Sequence, residues 1–334
     1  MRVLGFIGLV IVLLAIGGSL AFSSIEVMRI ERQYPPIGEF ADIGDIRLHY
    51  VDIPADDPDA PTIVFIHGAS GNLRDPLLAF RPALIGQYRL ILVDRPGHGY
   101  STRGSGAIAS PAAQAAVIHR LLTTIGIERA VIVGHSWGAA VAAAYAVRFQ
   151  SATAGLMLIA PATHPWPGGV DWYYNVATLP VIGPIFTRTL VMPIGLLQLQ
   201  GSLAFVFGAT PVPPRYSAEA GIALVLRPGE FAANAEDVSQ LKANVTAMAP
   251  HYGEITAPTI IIAGAEDRVV RNDLHAEVLA RQIPGARLIT IENAGHMPQF
   301  TDPKTVIAAL TALAGGARTH GYADLRPHQD HSSH

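Results

Sequence analysis

The chain of 334 residues contains no cysteine. This absence excludes disulfides, thiolate nucleophiles, cysteine-based zinc sites and iron–sulfur clusters, and it leaves an exported location open. Charge is scarce as well, since Asp, Glu, Lys and Arg make up only 15% of the residues, against about 25% in ordinary soluble domains. With 23 Lys and Arg against 26 Asp and Glu, there is no basic stripe to neutralise a run of phosphates, and nucleic acid is not an expected partner. A long repeat array is also missing. What the chain has in quantity is apolar side chains, 50% of the total, which excludes disorder for its bulk. Its length suits one α/β core with an insertion as well as two or three smaller units.

Part of that apolar excess is local. Val3 to Phe22 is a run of 20 residues without a charge, about 30 Å as a helix and so about one hydrocarbon thickness. It is an export or anchor signal. Ser19-Leu20-Ala21 offers small residues spaced for cleavage, but the run exceeds the usual signal core of roughly 7–15 residues, which favours a retained anchor. Arg2 precedes the run, while Arg29 and Arg32 follow it beside Glu26 and Glu31, so the positive-inside rule hardly discriminates. The expectation is a folded part outside the cytoplasm, with secretion after cleavage as the alternative. Gln33-Tyr34-Pro35-Pro36 suggests a stiff linker, because each proline fixes its own φ and biases its predecessor away from helix. The far end, from Gly315, carries four of the 13 histidines without apolar periodicity and suggests a solvated tail. Metal binding by His328, His331 and His334 is the lesser expectation there.

Between these ends short β-branched runs alternate with helical patterns, the signature of a mostly parallel sheet covered by helices. Strands are expected at residues 46–51, 62–66, 90–93, 130–133, 156–159, 259–263 and 287–291, with a weaker one at 40–43. Helices are expected near 111–125, 137–149, 273–282 and 303–313. The alternation breaks once, from about Pro161 to Pro258, which points to an inserted cap. Thr163 to Pro214 holds only Asp171 and Arg188 among its charged residues, and Thr189 to Gly208 is another uncharged stretch of 20. A second membrane span there is disfavoured, because Pro193, Gly195, Gln198, Gln200 and Gly201 interrupt it and polar groups enter hydrocarbon at high cost. One crossing would also strand the following β-run across the membrane from its partners. An apolar lid, one that touches the bilayer surface, fits better. The chain thus divides into an anchor or signal segment (1–24), linker (25–38), first core part (39–162), cap (163–250), second core part (251–314) and flexible tail (315–334).

The chemistry concentrates where Ala130-Val131-Ile132-Val133 runs into Gly134-His135-Ser136-Trp137-Gly138 and a small-residue helix. A G-x-S-x-G turn between strand and helix presents its serine on strained backbone, with glycines where strand and helix approach closely. Ser136 then sits above a helix N-terminus, which favours developing negative charge. A serine hydroxyl needs a base, and the base an orienting acid. Asp267 follows the strand around Ile260 to Ala263, and His296 follows Leu288 to Ile291, in the order Ser, Asp, His at the carboxyl ends of parallel strands. Glu266 is the competing acid and Asp94 a more remote one. Ile63 to Ile66 opens into His67-Gly68-Ala69, so the backbone N–H groups of Ala69 and Trp137 are the candidate oxyanion donors.

These segments, with Asp94-Arg95-Pro96-Gly97-His98-Gly99-Tyr100-Ser101 and Gly295-His296-Met297-Pro298, resemble the α/β-hydrolase fold superfamily over residues 40–314. The resemblance is to its capped branch of esterases, lipases, C–C bond hydrolases, epoxide hydrolases and haloalkane dehalogenases. It implies a mostly parallel sheet flanked by helices, with a helical cap between the sixth and seventh strands. It also implies Ser136, Asp267 and His296 as triad and Ala69 and Trp137 as oxyanion hole, with His67, His98 and His135 as hydrogen-bonded scaffold. Dehalogenases and epoxide hydrolases of this branch carry an aspartate where Ser136 stands, so those activities are disfavoured. A serine implies an acyl-enzyme, hence cleavage of carboxylic esters with apolar groups and no metal or organic cofactor. The alternatives are a C–C bond hydrolase acting on diketones and a catalytically inactive, membrane-tethered binding protein. The expected partners are a small-molecule ester and, through the N-terminal helix, a membrane.

Overall fold

The computed structural model describes the backbone of residues 2–323 and the side chains of residues 5–316. Its centre is an eight-stranded sheet made of β1 (Glu39–Ile43), β2 (Ile46–Ile53), β3 (Thr62–Ile66), β4 (Arg89–Val93), β5 (Ala130–His135), β6 (Thr153–Ile159), β7 (Thr259–Gly264) and β8 (Arg287–Ile291). The spatial order is β1-β2-β4-β3-β5-β6-β7-β8. β2 runs antiparallel to both β1 and β4, and the strands from β3 to β8 are parallel to one another.

The central strands are nearly continuous apolar runs because both sheet faces are covered. Successive residues serve opposite faces, as the two-residue strand period requires. Along β3, Ile63 and Phe65 join one apolar cluster while Val64 and Ile66 join the other. Helices α2 (Arg74–Leu84) and α12 (Pro303–Ala323) cover one face, and α3 (Pro111–Thr124), α4 (Trp137–Arg148) and α10 (Ala276–Gln282) the other. The sequence pattern gives no helix between β3 and β4. α2 forms there although Pro82 interrupts it, with Phe80 and Leu84 turned into the core.

Between β6 and β7 the chain is helical: α5 (Trp172–Ala177), α6 (Ile182–Thr189), α7 (Val191–Phe207), α8 (Tyr216–Glu219), a 3₁₀ turn at Ile222–Leu226, and α9 (Pro228–Met248). α6 and α7 meet at a 60° bend, and β7 returns to pair with β6. The uncharged stretch from Thr189 is therefore cap, not a crossing followed by a strand on the far side. A short helix, α11 (Pro298–Thr301), follows β8.

At the N-terminus α1 (Arg2–Gln33) is a single helix, so residues 25–33 are helical where a linker was expected, and the extended stretch begins at Tyr34. Helical propagation continues because no proline intervenes before Pro35. α1 is the one helix among the described residues long and apolar enough to cross a membrane. At the other end α12 extends to Ala323, so residues 315–323 are helical where tail was expected. His328, His331 and His334 lie outside the described residues.

Packing is close where α4 meets the sheet. A Cβ on Gly138 would stand 2.4 Å from the carbonyl oxygens of both Ile66 and His67, and one on Gly134 would stand 2.4 Å from the Gly138 carbonyl oxygen. Gly138→Ala is expected to destabilise the protein by about 1–3 kcal/mol or to prevent folding, as overpacking does. Thermal melts would reveal it, and an unchanged melting temperature would show that α4 has room to retreat.

Candidate functional site

Ser136 occupies the corner between β5 and α4 with φ +53° and ψ −119°, a strained conformation for a residue with a Cβ. The corner is fixed by its own backbone. The Ser136 N–H donates to the Ile159 carbonyl at 2.8 Å, and the Ser136 carbonyl accepts from Ala139 N at 3.0 Å. Gly68 lies against it, since a Cβ there would come within 3.1 Å of the Ser136 Cβ. Ser136 is 8% exposed, so its hydroxyl lies in a nearly dry setting.

Asp267 lies three residues past β7 and His296 five past β8. Their side chains meet, with His296 Nδ1 2.7 Å from Asp267 Oδ2, while Asp267 Oδ1 accepts the N–H groups of Val269 and Val270 at 2.8 and 2.9 Å. Burial alone would raise the Asp267 carboxyl, but the His296 charge and these donors outweigh it and hold the carboxyl below its ordinary range. Glu266, the rival acid, is exposed, and Asp94 pairs with His49 at 2.6 Å. His135 donates from Nε2 to the His296 carbonyl oxygen at 2.9 Å. That bond ties the residue before Ser136 to the backbone that carries the imidazole. Burial lowers the His135 imidazole to about 3, so it serves as a neutral strut. Among the described residues no hydrogen bond joins the Ser136 hydroxyl to His296.

Beside Ser136 runs the loop after β3. The Ala69 N–H has no hydrogen-bond partner among those described, and Trp137, as the first residue of α4, has an N–H with no acceptor in its own helix. Next in the loop, Ser70 adopts φ +56°, and its N–H donates to Asn234 Oδ1 at 2.7 Å. The loop rests on Arg95, which is fully buried. Arg95 Nε donates to the His67 carbonyl at 3.1 Å, Nη2 to the Gly68 carbonyl at 3.1 Å, and Nη1 to Gln114 Oε1 at 3.0 Å and Asp237 Oδ2 at 2.6 Å. Its guanidinium also stacks 4.2 Å from the Trp137 ring centroid. The backbone N–H of Arg95 donates to His67 Nε2 at 3.0 Å, which fixes His67 as the Nδ1–H tautomer donating to the Gly68 carbonyl at 2.8 Å. Burial, reinforced by the Arg95 charge, lowers His67 to about 3.

The residues that sequence inspection missed are those that grip this loop from the cap. Asn234 and Asp237 lie on one face of α9 with Glu230, Leu241 and Val245, all buried. Asp237 also accepts from Arg103 at 2.7 Å and from Gln114 at 3.1 Å, and its carbonyl accepts from Trp137 Nε1 at 3.1 Å. The available signal was polar residues at helical spacing on a stripe that also holds Leu241 and Val245. Asp75 was also missed. Its Oδ1 accepts from the Tyr216 hydroxyl at 2.8 Å, and burial raises its carboxyl to about 6 against the opposing effects of that bond and the His296 charge.

A hydroxyl on a strained corner, an imidazole oriented by a carboxylate and backbone N–H groups without acceptors are the kinds of group that acyl transfer through a covalent intermediate uses. The family model described as alpha/beta hydrolase family matches residues 63–310. A 2-hydroxy-6-oxononadienedioate/2-hydroxy-6-oxononatrienedioate hydrolase of Cupriavidus pinatubonensis is 28% identical over 78% of this chain and 88% of its own. The monoacylglycerol lipase abhd6-A of Xenopus laevis is 26% identical over 75% of this chain and 74% of its own. Among solved structures, a membrane phospholipase A described as a novel bacterial virulence factor superposes with a TM-score of 0.66 at 24% identity, covering 95% of this chain and 99% of its own.

Removing the Asp237 carboxylate leaves Arg95 as an uncompensated buried charge. Asp237→Ala is therefore expected to lose about 3–5 kcal/mol in urea unfolding, and a loss under about 1 kcal/mol would mean that the His67, Gly68 and Gln114 oxygens suffice. The depressed Asp267 carboxyl stabilises the fold above the ordinary carboxylate range, and that contribution disappears as pH falls through the folded value. Asp267→Asn is expected to lose less melting temperature than wild type between neutral and acid pH. Identical slopes would show no such coupling.

Proposed function

The chain belongs to the alpha/beta hydrolase family, and from that premise we propose that it is a serine hydrolase of carboxylic esters with apolar groups. The observation that carries this reading is the Asp267–His296 hydrogen bond of 2.7 Å, held by His135 beside the strained Ser136 corner. Ser136 Oγ attacks the ester carbonyl carbon and passes its proton to His296 Nε2, while Asp267 holds the Nδ1–H and balances the imidazolium. The N–H groups of Ala69 and Trp137 receive the developing oxyanion; loss of one such donor typically costs about 10²–10³ in turnover. His296 then protonates the leaving alcohol, and water activated by the same imidazole releases the acid from Ser136.

The serine at the corner argues against alkylation chemistry, which needs a carboxylate there. The substrate's apolar character rests on the cap, where Arg188 is the one charged residue from 172 to 207. The hydrolase of C. pinatubonensis keeps C–C bond cleavage as the second reading, since the same side chains serve a diketone. For location, we read α1 as a retained membrane anchor with the catalytic domain outside the cytoplasm. Its helix is unbroken through Ser19-Leu20-Ala21, and the Ser19 hydroxyl donates to the Thr189 carbonyl of the cap, whereas a cleavage site must be presented extended.

A fluorophosphonate probe is expected to label the wild type and not Ser136→Ala. Failure to label a folded wild type overturns the serine-hydrolase reading, and labelling without turnover of p-nitrophenyl esters moves it to the diketone alternative. Asp267→Asn is expected to lower turnover by orders of magnitude with the fold intact; the same loss from Glu266→Gln would move the acid by one residue. Esters with longer acyl chains are expected to be cleaved faster than short charged ones, and the opposite ranking would remove the cap from substrate selection.

A further inference from the structure

The anchor helix and the cap are one packed unit. Along α1 the residues turned toward the protein are Ser19, Ser23, Glu26, Val27, Ile30 and, just beyond, Tyr34, spaced by three and four as one helix face demands. Ile30 and Tyr34 are buried with Val191, Met192 and Leu224 to Leu226, and Arg227 pairs with Glu31 at 3.2 Å. Residues 5–18, by contrast, are exposed on every side.

Those 14 residues measure about 21 Å, short of the roughly 30 Å hydrocarbon layer. A span must therefore draw on the rest of the uncharged run as far as Phe22. Ser19 precedes Phe22 by three residues, about 4.5 Å along the helix axis, so it sits below the hydrocarbon boundary. Thr189 touches Ser19 and stands at the bend between α6 and α7. The bend must then reach the same depth.

Its surface suits that depth. Val181 (75% exposed) stands just before α6, Ile182 and Ile185 lie on it and Leu190 is at the bend, and on α7 Ile194, Leu197 (86% exposed) and Phe205 recur with Gly201 at spacings of three and four. Arg188, the lone charge, is exposed and donates to the Pro184 carbonyl at 3.2 Å, where its long stem lets the guanidinium reach the headgroups. From these positions we infer that the exposed apolar face of α6 and α7 is a second membrane-contacting surface, immersed in the same leaflet that α1 leaves. This rests on the reading of α1 as a retained anchor, and it brings the cap over the catalytic corner into direct contact with lipid acyl chains.

The absence of cysteine makes the test clean. The full chain carrying Leu197→Cys, Leu13→Cys or Asp273→Cys is labelled with a polarity-sensitive fluorophore and reconstituted in phosphatidylcholine vesicles with or without spin-labelled lipid. The expected result is a blue-shifted Leu197 label that loses fluorescence to the spin-labelled lipid, as the Leu13 label does, while the Asp273 label is unaffected. Quenching at Leu13 without quenching at Leu197 overturns the inference and leaves the anchor in place. Quenching at neither position overturns both. A blue shift at Leu197 that spin-labelled lipid does not quench also overturns it, since the face is then covered by protein, such as a second copy of the chain.

Discussion

Arg95 carries a charge with no access to water, a state that a protein sustains only by surrounding the guanidinium with acceptors. Here the acceptors are the carbonyls of His67 and Gly68 in the loop after β3, Gln114 on α3 and Asp237 on α9. One side chain thereby binds the loop of the candidate oxyanion donors, a helix beneath the sheet and the cap into a single arrangement. Because an unpaired buried charge is so unfavourable, none of these three parts can leave the others without breaking the arrangement. The geometry of the candidate oxyanion donors is thus coupled to the seating of α9.

A second constraint meets the first at Ser136. Gly134 and Gly138 let α4 lie almost on the backbone of β3 and β5, and that proximity forces the turn between strand and helix into the left-handed region at Ser136. The stacking of Arg95 on Trp137 holds the first residue of α4, and His135 holds the backbone of His296 from the other side. The three histidines nearest the corner differ by surroundings: His67 and His135 are kept neutral by burial, whereas His296 alone has a carboxylate on its ring nitrogen. Environment, not residue type, separates the buried struts from the candidate base.

The same division explains what was legible beforehand. The loops that carry Asp267 and His296 follow strands whose apolar runs are unmistakable, and the G-x-S-x-G segment joins a strand to an alanine-rich helix, so Ser136, His296 and the acid pair Glu266 and Asp267 stand out as candidates from local pattern. Asp237 and Asn234 could not, although they grip the loop that carries Ala69. They belong to a helix whose partner lies 142 residues earlier in the chain, and nothing local marks that pairing. The ends of α1 and α12 also escaped, because Gly and scattered polar residues weaken periodicity without stopping a helix that packs or propagates.

The sequence by itself determined the parallel sheet, the helical insertion between β6 and β7, the strained serine corner and the long apolar helix at the N-terminus. Each follows from an interaction among near neighbours, namely period-two burial, glycine freedom, proline restriction or an uncharged run of sufficient length. Only the tertiary structure decided that Arg95 and Asp237 pair across the cap and that Asp267 rather than Glu266 reaches His296. It also decided that α1 docks on the bend between α6 and α7. Those outcomes depend on which distant side chains share a dry space, and burial of charge and shape of packing settle that only once the chain has closed on itself.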